Sequence, residues 1–149
     1  MHVYQATIQD LEGITPLFNA YRVFYKQTSN ISAAKAFMKE RFIQQDSVIF
    51  VAVEDESYVG FTQLYPSFSS VAMKKTFILN DLYVDERVRG KRIGWNLLEA
   101  AKDYTYEVGA KGLTLETGHD NFRAQGLYEK FGYQLIEENR FYYFGVDEN

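Results

Sequence analysis

The stretch Leu79-Asn80-Asp81-Leu82-Tyr83-Val84-Asp85-Glu86-Arg87-Val88-Arg89-Gly90-Lys91-Arg92-Ile93-Gly94 holds the chain's densest chemistry. It reads as a strand, a basic turn containing glycine, and the start of a long helix. Such a turn traps anions. The first N–H groups of a helix have no internal partners, and the macrodipole adds partial positive charge there. Gly90 and Gly94 let a ligand approach the backbone closely. Arg87, Arg89, Lys91 and Arg92 add charge, and a phosphate or pyrophosphate is the natural guest. The alternative is a solvated basic turn that merely joins strand to helix. The Gly-Lys-Ser/Thr ending of a nucleotide-binding P-loop is absent, as is the glycine spacing of a dinucleotide-binding turn.

The elements that must position this turn are legible from periodicity. Val3 to Thr7 predicts a first strand. Asp10 can cap a helix carrying Leu17, Tyr21, Phe24 and Tyr25 at helical spacing. Ser32 to Gln45 predicts a second helix. Val48 to Val53 is a continuous β-prone run, suited to a strand buried on both faces. Tyr58 to Tyr65 follows a polar turn as its hairpin partner. Pro66 to Ser70 reads as a loop, with Tyr65 and Phe68 able to border an acceptor or simply to anchor it. Lys75 to Val84 is strand-like. Ile93, Leu97, Ala101, Tyr104 and Val108 recur every three or four residues, the clearest amphipathic helix in the chain, and Gly109 or Gly112 can end it. Leu113 to Thr117 predicts a short strand and Asn121 to Lys130 a short helix stopped by Gly132. Tyr133 to Val146 predicts a hairpin around Glu137 to Arg140. Hairpins mixed with helices imply an α/β fold on a mixed, mostly antiparallel central sheet flanked by helices. With no linker or repeat, residues 1–149 are expected to form a single domain.

Composition narrows the function classes. The chain has 149 residues and no cysteine, so it has neither disulfides nor a cysteine nucleophile. Its two histidines, His2 and His119, lie far apart, and no metal site is expected. A formal net charge of -4 argues against a nucleic-acid partner and favours cationic small molecules. No run reaches the ~18 apolar residues of a membrane span, and Met1 to Gln5 does not read as a signal peptide. A cytoplasmic protein, off the membrane, is expected.

The segment Arg89-Gly90-Lys91-Arg92-Ile93-Gly94 resembles the signature Gln/Arg-x-x-Gly-x-Gly/Ala of the GNAT N-acetyltransferase superfamily. First and last positions match, and Arg92 stands where glycine is usual. Leu82-Tyr83-Val84 is similar to the family's splayed fourth strand. Asn121-Phe122-Arg123-Ala124-Gln125-Gly126-Leu127-Tyr128-Glu129-Lys130-Phe131-Gly132-Tyr133 resembles its Asn-x-x-Ala-x-x-Leu-Tyr-x-Lys-x-Gly-Phe/Tyr element. The order and spacing of all three agree over nearly the whole chain. The resemblance implies the GNAT fold and acetyl-CoA as co-substrate. Leu82, Tyr83 and Val84 would pair with pantetheine, Arg89, Gly90, Lys91, Arg92, Ile93 and Gly94 would cradle the pyrophosphate, and Asn121 would bond the pantetheine arm or simply cap its helix.

The implied reaction is direct attack of a primary amine on the thioester in a ternary complex. A lysine-like amine, of pKa about 10.4, must lose a proton first, which costs roughly 4–5 kcal/mol at pH 7. A base or a desolvating pocket has to offset that. Tyr128 matches the family tyrosine near the sulfur and is the candidate acid, against the reading that it is core. Asp81 is the candidate base, directly or through water, against a structural role. Glu116 is a second candidate base, and His119 reads as surface. Asn80-Asp81-Leu82-Tyr83-Val84 also looks like the Glu-Asp-Phe-Phe-Val strand of diamine (spermidine/spermine) acetyltransferases, with Asn80 in place of one acid. A small cationic amine such as a polyamine is the expected acceptor. Protein amino groups, aminoglycosides and a non-catalytic acyl-CoA-binding module are the alternatives. The family also implies a homodimer, paired through the aromatic Phe141-Tyr142-Tyr143-Phe144 segment.

Overall fold

The structure, a computed structural model, describes residues 1–147, which form two compact units: Met1–Glu116 and a smaller one from Thr117 onward. In the first, β1 (His2–Gln5), α1 (Leu11–Phe24), α2 (Ile31–Gln44), β2 (Val48–Glu54), β3 (Ser57–Ser69), β4 (Lys74–Val84), α3 (Ile93–Glu107) and β5 (Leu113–Thr114) follow in that order. The sheet runs β1-β2-β3-β4-β5, antiparallel except for the parallel β4–β5 pair. This is the mixed, mostly antiparallel sheet expected.

The helices cover opposite faces because neighbouring strand residues point opposite ways. Val51 and Phe61 are fully buried with Ile14, Phe18, Ala34 and Met38 of α1 and α2. Phe50 and Phe77 instead meet Tyr104 of α3, with ring centroids 5.8 and 5.6 Å apart. β2 is buried from Ile49 to Ala52 on both faces, as its unbroken apolar run demands. Gly60 lets α3 lie close. A Cβ there would sit 3.1 Å from the Tyr83 carbonyl and 3.2 Å from side-chain carbons of Ile93 and Leu97.

Three expectations need correction. Asp10 does not cap α1 with its side chain. A short 3₁₀ turn, Ile8–Asp10, precedes the helix, and Thr7 caps it in a reciprocal box with Asp10. Pro66 to Ser69 is strand and not loop, with Pro66 opposite Phe77. β2 accompanies β3 only as far as Leu64, so Pro66 stands where β3 has one neighbour, the position in a sheet that tolerates a residue without an N–H. The C-terminal hairpin is also absent. The second unit holds one helix, α4 (Phe122–Phe131), and no strand among its described residues. Phe141, Tyr142, Tyr143 and Phe144 are exposed. A lone two-stranded ribbon without a packed face is marginal in water.

Candidate active site

The decisive local feature is a β-bulge in β4. Gln63 of β3 pairs with Asp81, but the next residue, Leu64, pairs with Leu79. Asn80 is the extra residue, and its unpaired carbonyl accepts from the Tyr21 hydroxyl at 3.2 Å. A bulge reverses the alternation of faces along its strand. Phe77 therefore faces α3, whereas Tyr83 packs against Tyr21 of α1, ring to ring at 6.4 Å. If the strand alternated regularly through Asn80, Asp81 would share the α3 face with Phe77 and Leu79. Because Asn80 bulges out of the pairing, Asp81 turns toward α1.

Asp81 is 3% exposed. Its Oδ2 accepts from Gln63 Nε2 at 2.6 Å and its Oδ1 from Asn80 Nδ2 at 3.1 Å. The Tyr21 hydroxyl, which donates to the Asn80 carbonyl, lies close enough to favour the charge of the same carboxyl. Burial pushes the carboxyl above the usual aspartate range, and these three donors only partly offset that. Tyr25 and Tyr65 are near enough to feel its charge. Burial and that charge raise both phenols, Tyr65 to about 12. Asp81 is thus a buried carboxyl with tyrosines within reach of its charge and a raised proton affinity, which suits a base that collects a proton from a cation.

The basic turn joins this site through aromatic rings. The Arg89 guanidinium lies 5.8 Å from the centre of the Tyr83 ring, which packs on Tyr21. Arg89 Nε also donates to the Val84 carbonyl at 3.2 Å. Gly90 has φ +93°, the left-handed conformation that glycine adopts without strain, and open space where a Cβ would be. Arg92, in the usual glycine position, also has positive φ, +62°. Its guanidinium lies 5.1 Å from the centre of the Trp95 ring. No side chain caps α3, which starts at Ile93 and Gly94. Lys91 is bonded to Glu54 at 3.1 Å, and Arg87 to Asp85 at 2.7 Å. Exposed pairs like the latter contribute about 0–1 kcal/mol, so an anion can draw such cations away.

The edge of β4 supplies the rest. β5 accompanies it only at Phe77 and Ile78, so Leu82, Tyr83 and Val84 pair with β3 alone, opposite Thr62, Phe61 and Gly60. Their other edge is without a strand among the described residues. An extended ligand with its own amides could add to it, and its anionic end would meet the uncapped α3.

Asn121 and Tyr128 belong to the second unit. Asn121 caps α4, accepting from the Ala124 N–H at 3.3 Å, so the bland reading of that residue holds. Tyr128 is half-buried on α4 with its ring 5.9 Å from that of Tyr133. Gly132, at φ +124°, closes the helix. Glu116 is exposed and lies beyond β5, and His119 is exposed. Neither has the burial that distinguishes Asp81. Phe68 is exposed and Tyr65 half-buried. Among the described residues, no cluster of His, Asp and Glu could hold a metal, and no helix is long and apolar enough to cross a membrane.

Sequence reasoning missed Tyr21, Gln63 and Ser47. Gln63 left a signal, a polar residue within a strand that is otherwise mostly apolar. Tyr21 left none, since its helical spacing reads as core.

Comparison with known proteins agrees with this geometry. Residues 14–133 match the model of the acetyltransferase (GNAT) family. An uncharacterized N-acetyltransferase of Bacillus subtilis (strain 168) is 52% identical over 90% of either chain. A D-amino-acid N-acetyltransferase of Saccharomyces cerevisiae is 30% identical over 85% of this chain and 80% of its own. The crystal structure of a probable acetyltransferase, 37% identical, superposes over the full length of both chains with a TM-score of 0.94. The fold, the uncapped helix beside a free strand edge and these relatives converge: the chain belongs to the acetyltransferase (GNAT) family and is an acetyl-CoA-dependent N-acetyltransferase.

Proposed function

We propose that this enzyme acetylates a small cationic primary amine, with Asp81 as the base and Tyr128 as the acid. One observation carries the reading: a carboxyl that is 3% exposed, of raised proton affinity, whose charge reaches Tyr25 and Tyr65 and is favoured by Tyr21. A cation entering there gains an ionic partner and aromatic faces, and it meets a base whose affinity has been moved toward its task. The polyamine is the acceptor suggested by the Asn80 to Val84 strand.

In this reading Leu82, Tyr83 and Val84 hold the extended arm of acetyl-CoA, and Arg89 to Gly94 hold its pyrophosphate. The residues fit such a guest, because the β4 edge is free, Gly90 leaves open space and α3 has no side-chain cap. Bound acetyl-CoA supplies an acetyl group already activated as a thioester. Asp81 takes a proton from the acceptor ammonium, leaving a neutral nitrogen that can form the amide bond as the carbon–sulfur bond breaks. The Tyr128 hydroxyl would give a proton to the departing sulfur, and the second proton shed by the acylated nitrogen would restore the phenol. The cytoplasm and a homodimer belong to the same reading, the latter supported by the exposed aromatics Phe141 to Phe144.

A free-thiol release assay with acetyl-CoA tests the acceptor. The panel holds polyamines, aminoglycosides, lysine peptides and amino acids of both hands, the D-forms because of the yeast relative. Release with polyamines is expected. Release with D-amino acids alone, or with peptides alone, overturns the polyamine assignment. Tight acetyl-CoA binding without release from any amine favours a non-catalytic module.

A further inference from the structure

Asp81 is one end of a hydrogen-bond chain. Gln63 is fully buried, at 0% exposure, and donates through Nε2 to Asp81 Oδ2 at 2.6 Å. Its Oε1 accepts from the Ser47 hydroxyl at 2.8 Å. Ser47 is half-buried just before β2. An amide donates at one end and accepts at the other. With nitrogen toward Asp81 it stabilises the carboxylate, and a serine proton on its oxygen polarises it into a better donor. The contact is short and fully desolvated, so it also fixes where the carboxylate points.

We propose that Gln63, anchored by Ser47, is a positioning residue that keeps Asp81 ionised and aimed at the acceptor between turnovers. This rests on the reading of Asp81 as the base. Without the amide, two weaker influences would hold the carboxylate: Asn80 at 3.1 Å and a Tyr21 hydroxyl that also reaches the Asn80 carbonyl. The other titratable groups near Asp81 are the phenols Tyr25, at the C-cap of α1, and Tyr65 on β3, and the carboxylate's charge helps to keep both protonated. Arg41 and Asp46 act on Tyr65 with opposite signs.

The experiment is a pair of pH titrations on the full chain carrying Gln63→Met, which keeps bulk and removes the donor, and Ser47→Ala, which removes only the anchor. One titration follows the Asp81 carboxyl carbon by NMR, and the other follows kcat/KM. Both midpoints are expected to rise together, by about one pH unit for Gln63→Met and by less for Ser47→Ala. Turnover should recover above the new midpoint. Ser47→Ala keeps the test open if the buried substitution fails to fold. A carboxyl midpoint that stays put in the folded variants overturns the positioning role, and lower melting temperatures alone would leave Gln63 as mere packing. A carboxyl midpoint that rises while the kcat/KM limb does not would keep the Gln63–Asp81 coupling and remove Asp81 as the base.

Discussion

Asp10 accepts the Tyr58 hydroxyl at 2.6 Å, the Tyr4 hydroxyl at 2.7 Å and the Thr7 N–H at 2.9 Å. Asp81 accepts two side-chain amides and a share of one tyrosine hydroxyl. Both carboxyls are more than nine-tenths buried, yet their proton affinities move in opposite directions. At Asp10 burial pushes upward, but the Tyr58, Thr7 and Tyr4 bonds outweigh it, and the group stays below the usual range. At Asp81 burial prevails over Gln63, Tyr21 and Asn80. The difference teaches that depth alone does not make a base. Asp10 is a structural anion that ties β1, β3 and the entry to α1 together. Asp81 is left with too little support to be indifferent to a proton.

Replacing each acid by asparagine should separate the two roles. Asp81→Asn is expected to lower kcat/KM about 10²- to 10³-fold, in the range of a lost general base, with acetyl-CoA affinity of the folded protein little changed. Asp10→Asn should do the reverse. It would weaken three hydrogen bonds to one buried carboxylate at once, so a stability loss of about 2–3 kcal/mol in denaturant titrations is expected, with normal turnover from the folded fraction. Loss of turnover without loss of stability in Asp10→Asn would break the comparison.

The pH dependence of stability should sharpen it. Asp10 sits lower folded than unfolded, so its contribution is present above about pH 4 and lost as pH falls through its folded value. Asp81 sits higher folded than unfolded, so its contribution is present below about pH 4 and lost as pH rises through its folded value. Melting curves against pH should therefore lose part of their acid sensitivity in Asp10→Asn, with Asp85 retaining its share, and lose Asp81's part of the decline with rising pH in Asp81→Asn. Turnover of the wild-type enzyme should rise over the pH range in which Asp81 ionises.

The smallest effects are expected from the supporting tyrosines. Tyr58→Phe should cost about 1 kcal/mol of stability and leave the pH–rate profile in place. Tyr21→Phe should shift the acid limb of that profile upward by a few tenths of a unit and cost less stability. Equal behaviour of the two would mean that the two carboxyls are not distinguished by their donors.

The parts of the molecule written in local pattern were legible. The apolar run of β2, the periodicity of α3 and the glycine at the end of α4 each follow from one short window. The turn between β4 and α3 was legible because Gly90 and its flanking charges interrupt the apolar pattern on either side. Pro66 was misread because its tolerance depends on where β2 stops, a fact held by another strand. Nothing within the Tyr58 to Tyr65 strand marks Gly60, because the side-chain atoms it admits belong to Ile93 and Leu97. The tail was misread because alternation predicts a strand whether or not an edge exists to receive it. Asp81 was named as the base, but the reason it faces α1 was invisible. Only the register of Gln63 and Leu64 against Asp81 and Leu79 reveals the bulge.

That bulge bears on how such a site can change over generations. Point substitutions alter what stands at Asn80 but leave the count of residues between Leu79 and Asp81 intact. Losing one codon there would restore regular pairing, with Leu79 still opposite Leu64 and Asp81 still opposite Gln63, so Asp81 and Tyr83 would keep their faces while the Asn80 amide and the carbonyl that holds Tyr21 were lost. Lineages of this fold can therefore shorten this strand by one residue without turning the carboxyl away, and what the strand's length alters is the support around it.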